Sequence, residues 1–316
     1  MISSAVAGPA EQADYQVERE CGALVVALPS VMAEVLSLLR DHGTLYDAAA
    51  ARPAAETFTG RGAAYRMTLS GTDCIVRHYR RGGAVAHVLR DEYLRAGEPR
   101  PLRELHASIA ARARGVDTPE VVAAIAYLAG PLYRADLATQ FVPDSRDLAE
   151  VLFGSTANVA HREAAWRAAG AMLRTTFAAG VEHADLNLRN ILIAGAAVNS
   201  DAAAAAEDAA AAAAEDAAAA AAEDAAAAAA EDAAVAAAAE DAAVDTAAAA
   251  AGPALRALLI DLDKAVVHDG PVTTGTRSTM LARLHRSRIK FEQRLGRQSS
   301  DDELRAFEAG LGGRVD

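Results

Sequence analysis

Cysteine is nearly missing from these 316 residues: Cys21 and Cys74 stand alone and far apart. That excludes a disulfide framework and a cysteine-built metal centre, and it points to a reducing, cytoplasmic setting. No run of about twenty uninterrupted apolar residues occurs, so no transmembrane helix is expected. The N-terminus lacks the basic start and apolar core of a signal peptide, so any membrane contact is expected to be peripheral. A sustained platform of basic and aromatic residues is also missing, which argues against a nucleic acid partner. Lys and Arg are absent from one long stretch, Ala196 to Gly252, which holds twelve of the 43 acidic residues. The formal charge of −12 therefore resides in that stretch, because the other 31 acidic residues match 31 Lys and Arg. Bulk acidity says nothing about partners here. The length suits one large or two small domains.

The same stretch inflates the 52% hydrophobic content with alanine. Its Glu-Asp pairs recur at 207–208, 215–216, 223–224, 231–232 and 240–241. Alanine favours helix, and Asn199-Ser200-Asp201 and Gly252-Pro253 can start and stop one. An eight-residue step leaves a drift of roughly 80° per repeat, so the acidic pairs wind around the cylinder. No lasting apolar face results, and the tract reads as an insertion, expected helical, that docks on no core. A purpose-built interaction arm is the alternative. Apolar strands flank it, Asn190 to Ile193 before and Leu258 to Ile260 after, so without the tract they would form a hairpin. Long insertions at a turn cost little, since closure entropy grows logarithmically.

Elsewhere the pattern is strands first and helices later. Strands are expected over Cys21 to Leu28, Ala63 to Leu69, Asp73 to Tyr79, Val121 to Leu128 and Leu132 to Val142, with Gly-containing turns between several of them. Helices are expected over Pro101 to Ala113, Arg146 to Phe153, Val159 to Ala179 and Thr276 to Leu295. The order predicts an α+β, two-lobed architecture. The N-terminal lobe (1–142) would hold a glycine turn, mainly β sheet and one helix. The C-terminal lobe (143–316) would be mainly helical and catalytic, with 196–252 inserted in it.

The richest chemistry lies in His183-Ala184-Asp185-Leu186-Asn187-Leu188-Arg189-Asn190, followed much later by Leu259-Ile260-Asp261-Leu262-Asp263. An Asp, an Asn five positions on, an apolar strand, and a second Asp on another apolar strand form the layout of a phosphotransfer site. Asp185 can take the proton of an attacking hydroxyl. Asn190 and Asp261 offer hard oxygen ligands to Mg²⁺. Asn187 is expected to contact the transferred phosphoryl group, and Asp263 to add a second acidic contact. His183 is read as a brace for the loop backbone, with a general base as the alternative. Upstream, Gly60 and Gly62 would let backbone N–H groups approach phosphate, or mark a plain turn. Arg77 is the best-placed strand cation for the nucleotide phosphates, and Glu104 on the next helix would orient it or stand as an exposed glutamate. Arg80 and Arg81 are either solvated strand-end charges or contacts to an anionic substrate. Asp185 and Asn190 could each be ordinary turn residues, but the later apolar-Asp-Leu-Asp strand argues against coincidence.

These strings, with Arg77-His78-Tyr79-Arg80-Arg81-Gly82-Gly83, Tyr133-Arg134-Ala135-Asp136-Leu137 and Leu281-Ala282-Arg283-Leu284-His285-Arg286-Ser287, resemble the 3-deoxy-D-manno-octulosonic acid (Kdo) kinases of the protein-kinase-like superfamily. The likeness runs from about Gly60 to Arg297, apart from the alanine tract, which departs from the family pattern. It implies transfer of the γ-phosphoryl of ATP, with Mg²⁺, to a Kdo hydroxyl, the 4-OH by analogy, on the lipid A precursor. It implies Asp185 as proton acceptor, Asn190 and Asp261 as metal pair and Arg77 as the phosphate-facing position. It also implies residence on the cytoplasmic side of the bacterial inner membrane. The basic helix between Arg277 and Arg297 suits an anionic membrane surface or is an ordinary packed helix with a solvated face. The catalytic string alone is shared by lipopolysaccharide, aminoglycoside and RIO-type kinases. A heptose kinase, another small-molecule or protein kinase, or a pseudokinase scaffold are therefore the competing expectations.

Overall fold

The computed structural model describes residues 15–52, 57–58, 63–80, 91–154, 158–195 and 255–313. Gly60, Gly62, Arg81 and the alanine tract lie outside these residues, so the expectations placed on them do too.

The N-terminal half is built on one antiparallel sheet. Its strands are β1 (Gln16–Glu20), β2 (Ala23–Ala27), β3 (Thr57–Phe58), β4 (Ala64–Leu69), β5 (Thr72–His78), β6 (Tyr93–Leu94), β7 (Val121–Ala129) and β8 (Leu132–Gln140). They run in the order β1-β2-β7-β8-β5-β4-β3, and β6 pairs with the start of β8. Strand side chains alternate between faces, and here both faces are covered. Helices α1 (Pro29–His42) and α2 (Leu45–Ala50) lie on one face. There Val31, Val35, Leu39 and Leu45 pack on Val25, Met67, Val76 and Ile125. Helix α3 (Arg100–Ala113) lies on the other. There Leu102 and Leu105 meet Val26, Ala124, Ala126 and Leu137. Burial on both sides is why β7 reads as an unbroken apolar run with no polar alternation.

Helices α1 and α2 correct the expectation of a single helix in this lobe. Their signals are short but physical. Pro29 occupies the first turn, where its missing N–H is no loss. Gly43 ends α1 with φ +81. Thr44 caps α2 by accepting from the Asp47 amide.

The remaining strands are β9 (Ser145–Asp147), β10 (Val181–His183), β11 (Ile191–Ala194), β12 (Arg256–Leu259) and β13 (Ala265–Val267), and the helices are α4 (Leu148–Phe153), α5 (Val159–Ala178), α6 (Thr274–Leu295) and α7 (Asp301–Leu311). The hairpin expected across the tract forms: Ile191 faces Leu259 and Ala194 faces Arg256. The helix expected from Arg146 starts only at Leu148, because Ser145–Asp147 pairs with β11 and Asp147 caps the helix instead. Trp166, Leu173, Leu186, Leu188, Ile191 and Leu259 form the core of this half, and Ala107 and Ala111 of α3 join it. Helix α3 therefore belongs to both halves. Helices α5 and α7 cross closely at Gly170 and Gly310, where a Cβ would press into the carbonyls of Phe307 and Arg167.

Candidate active site

The segment between β10 and β11 is held by its own backbone. His183 Nε2 donates to the Ile260 carbonyl (3.0 Å), while its Nδ1 accepts from the Asp185 amide (3.2 Å). With Nδ1 accepting, the proton resides on Nε2, and the imidazole braces the loop as expected. Asn190 Nδ2 donates to the Asp185 carbonyl at 2.8 Å. Asn187 uses both ends of its amide: Nδ2 donates to the same carbonyl (3.0 Å), and Oδ1 accepts from the Arg189 amide (2.9 Å). Asn187 thus caps the short 3-10 turn Leu188–Asn190. Leu186 and Leu188 are buried and anchor the loop below. From the side, the Ser287 hydroxyl of α6 accepts from the Leu188 amide at 3.3 Å. Arg189 stacks over Phe291 of α6 at 5.5 Å.

A second loop, between β12 and β13, runs alongside. The Ile260 amide donates to the Asn190 carbonyl at 3.0 Å, so the two loops share a backbone bond as well as the His183 bond. Asp261 then takes the left-handed conformation (φ +64), uncommon for a non-glycine residue. Lys264 reaches back, its Nζ 3.9 Å from Asp185 Oδ2. Asp263 turns inward and is buried against the Arg100 guanidinium. Its expected role as a second acidic contact is thereby corrected: the carboxylate is committed to an ion pair with α3.

The third component comes from the sheet. Arg77 on β5 pairs with Glu104 of α3 (2.5 Å to Oε1) and lies 3.3 Å from Asp261 Oδ1. Glu104, read from sequence as either an orienting group or an exposed glutamate, is buried and also accepts from the Tyr79 hydroxyl at 2.5 Å. Arg77 and Tyr79 share the α3 face of the strand, and His78 points the other way.

On that opposite face lies a network the sequence reading missed. His78 and Asp136 are register partners on β5 and β8. Asp136 is fully buried, and its carboxylate receives His78 Nδ1 (2.6 Å), the Tyr127 hydroxyl (2.6 Å) and the Tyr46 amide (2.8 Å). Asp91 meets His78 Nε2 at 3.1 Å. Burial would pull the His78 imidazole down, but its bonds to Asp136 and Asp91 outweigh that and raise its pKa above the ordinary value. The available signal was Asp136 itself, a charge in the middle of an apolar strand.

Chemically, Arg77 offers a fixed cation, Asp185 a carboxylate proton acceptor, and Asn190 and Asp261 hard oxygen donors. Among the described residues no group of three or more His, Cys, Asp or Glu converges on a metal-sized point. The donor set instead fits Mg²⁺, which takes one or two protein oxygens and completes its shell with phosphates and water. The Asn190 amide nitrogen is bonded to the Asp185 carbonyl, so its oxygen is the atom that could serve a metal.

A sheet lobe with an Arg–Glu bridge to its helix, set beside the Asp185–Asn190 loop and an Asp-bearing hairpin, gives the chain the expected α+β, two-lobed arrangement. Residues 48–206 match the lipopolysaccharide kinase (Kdo/WaaP) family, and the chain belongs to that family. It is similar to the 3-deoxy-D-manno-octulosonic acid kinase of Vibrio cholerae serotype O1, 36% identical over 43% of this chain and 57% of that protein. The Stenotrophomonas maltophilia protein of the same description is 35% identical over 46% of this chain and 56% of its own length. That of Xanthomonas campestris pv. campestris is 37% identical over 45% and 55%. The chain spans a little over half the length of these relatives. A solved structure of WaaP in complex with acyl carrier protein aligns over 88% of this chain and 87% of that chain, at 16% identity and a TM-score of 0.43, too distant to carry an argument by itself.

Proposed function

We propose that this protein transfers the γ-phosphoryl of ATP to a hydroxyl of Kdo, the 4-OH by analogy, on a lipid A precursor. The supporting observation is that Arg77, Glu104 and Asp261 make one charged cluster while the Asp261 loop is bonded to the Asp185–Asn190 loop. Asp185 accepts the proton of the attacking hydroxyl. The side chain is partly exposed, so an acceptor can reach it. Lys264 stands beside that carboxylate and adds positive charge where the transferred group would pass. Arg77, held by Glu104, faces the nucleotide phosphates, and the phosphate-binding role read from sequence for Gly60 and Gly62 is retained as part of this proposal. Asn190 and Asp261 hold Mg²⁺, which when bound neutralises charge on the phosphate oxygens. Asn187, which also caps the turn carrying Asn190, contacts the transferred phosphoryl group. The lobes are assigned to 1–142 and 143–316, with the insertion at 196–252.

The acceptor is anionic, and α6 offers exposed Arg286, Lys290 and Arg294 beside the face that packs on the catalytic loop. No helix among the described residues is long and apolar enough to cross a membrane. Peripheral attachment to the cytoplasmic leaflet of the inner membrane through this basic face suits that acceptor. The test is an acceptor assay with purified protein, Mg-ATP, and either Kdo-bearing lipid A precursor or a heptosylated core. Phosphate on the Kdo-bearing acceptor is the expected result. Transfer only to the heptosylated acceptor would make this a heptose kinase, and nucleotide binding without transfer to either would make it a scaffold.

A further inference from the structure

Asp263 is a carboxylate with 5% of its side chain exposed, two residues beyond the Asp261 that the reading above assigns to the metal. A charge so buried requires a partner, and it has one in Arg100, in the first turn of α3. Arg100 is itself seated: its guanidinium lies over the rings of Tyr79 (5.4 Å) and Tyr93 (5.0 Å), and its backbone amide donates to the Tyr133 hydroxyl at 3.0 Å. Arg100 and Glu104 are one helical turn apart, so their side chains rise from the same face of α3. One grips the Asp263 carboxylate and the other grips Arg77. Tyr79 touches both grips, stacking on Arg100 and donating to Glu104.

Between those two grips sits Asp261 at φ +64. A non-glycine residue holds that conformation only where its surroundings over-determine it. Its loop is anchored by the Ile260 amide on the Asn190 carbonyl, His183 Nε2 on the Ile260 carbonyl, the buried Leu262 side chain, and two ion pairs, Arg77–Asp261 and Arg100–Asp263. Both ion pairs come from the opposite lobe, and Arg100–Asp263 is the more deeply buried of the two.

We propose that Arg100 and Asp263 are a positioning pair through which α3 holds the Asp261 loop in its metal-binding shape. A single helix then sets both the phosphate-facing cation and the metal-facing carboxylate. The inference rests on the kinase reading. It adds that the docking of α3 is sensed at the metal loop through Arg100, separately from the Glu104–Arg77 bridge.

The test is binding of a fluorescent ADP analogue to the full chain, titrated with Mg²⁺ and, separately, in EDTA, with thermal melts in parallel. Asp263→Asn and Arg100→Gln preserve size and hydrogen bonding while removing charge. Each should weaken the Mg²⁺-dependent gain in nucleotide affinity by roughly 10–100-fold, the scale on which supporting partners of metal ligands act, and leave affinity in EDTA unchanged. Arg100→Lys, which returns a cation and is the fallback should either variant fail to fold, should recover part of that gain. An undiminished Mg²⁺-dependent gain in both neutral variants overturns the proposal and leaves the kinase reading standing. Equal weakening with and without Mg²⁺ also overturns it, by reducing the pair to a structural contact. A wild-type chain that binds no nucleotide removes both.

Discussion

Asp185 and Arg77 are both charged, both partly exposed and both central to the site, yet they are held in opposite ways. Asp185 sits in a loop whose nearest bonds are its own: His183, Asn187 and Asn190 bond to backbone within a few residues of it, with Ile260 and Ser287 bracing the loop from outside. Arg77 has little local frame beyond the Tyr79 ring, 4.8 Å from its guanidinium. Its position is set by Glu104, 27 residues away, and by Asp261 from the other half of the chain. A self-contained loop tolerates changes elsewhere. A charge held by distant partners depends on the whole sheet and on α3 being in place.

Substituting at the self-held loop should therefore injure chemistry and spare the fold. Asp185→Asn is expected to lower transfer by about 10²–10⁴-fold, the worth of a positioned general base, with ATP affinity within a few-fold and an unchanged melt. A fully active variant would remove Asp185 from its role. The long-range network should behave in the reverse sense. Asp136→Ala leaves the Tyr127 hydroxyl, the Tyr46 amide and His78 without their shared acceptor. The expected loss is about 3 kcal/mol of folding stability by denaturant titration, as for other broken buried pairs. A melt within a degree or so of wild type would show that water or a neighbour replaces the carboxylate.

Lys264 sharpens the contrast because it joins the two loops through solvent-exposed charge. Lys264→Met should reduce turnover about fivefold with little change in KM for ATP, in line with about 1 kcal/mol for a screened pair. The smallest effect concerns pH. The folded protein holds the His78 proton more tightly than the unfolded chain. The resulting stabilisation is complete below about pH 6.5 and is lost as pH rises through the folded-state pKa. Denaturant titrations from neutral to alkaline pH should show this decline, and His78→Gln should flatten it.

The same contrast explains what could be read from sequence. The Asp185–Asn190 loop was legible because Asp185, Asn187 and Asn190 sit within six positions and bond to one another. The β11–β12 hairpin was legible across the tract because both halves are short apolar runs. Glu104 was recognised as a candidate, but its burial was not, since an isolated helix glutamate looks the same wet or dry. Asp263 was misread because its partner lies 163 positions earlier. Helices α1 and α2 were missed although Pro29 and Gly43 mark the ends of the first. The three-layered N-terminal half follows from them, and without that layer the buried Asp136 has no reason to exist.

Ala194 and Arg256 are cross-strand neighbours, so the two strand ends that flank residues 196–254 stand side by side. Adjacent antiparallel positions stand only about 5 Å apart, a gap that a turn of a few residues can close. The width of that gap is set by the paired strands and not by the sequence that joins them. A tight turn, a reporter domain or an affinity handle joined to the same two residues would meet the same geometry.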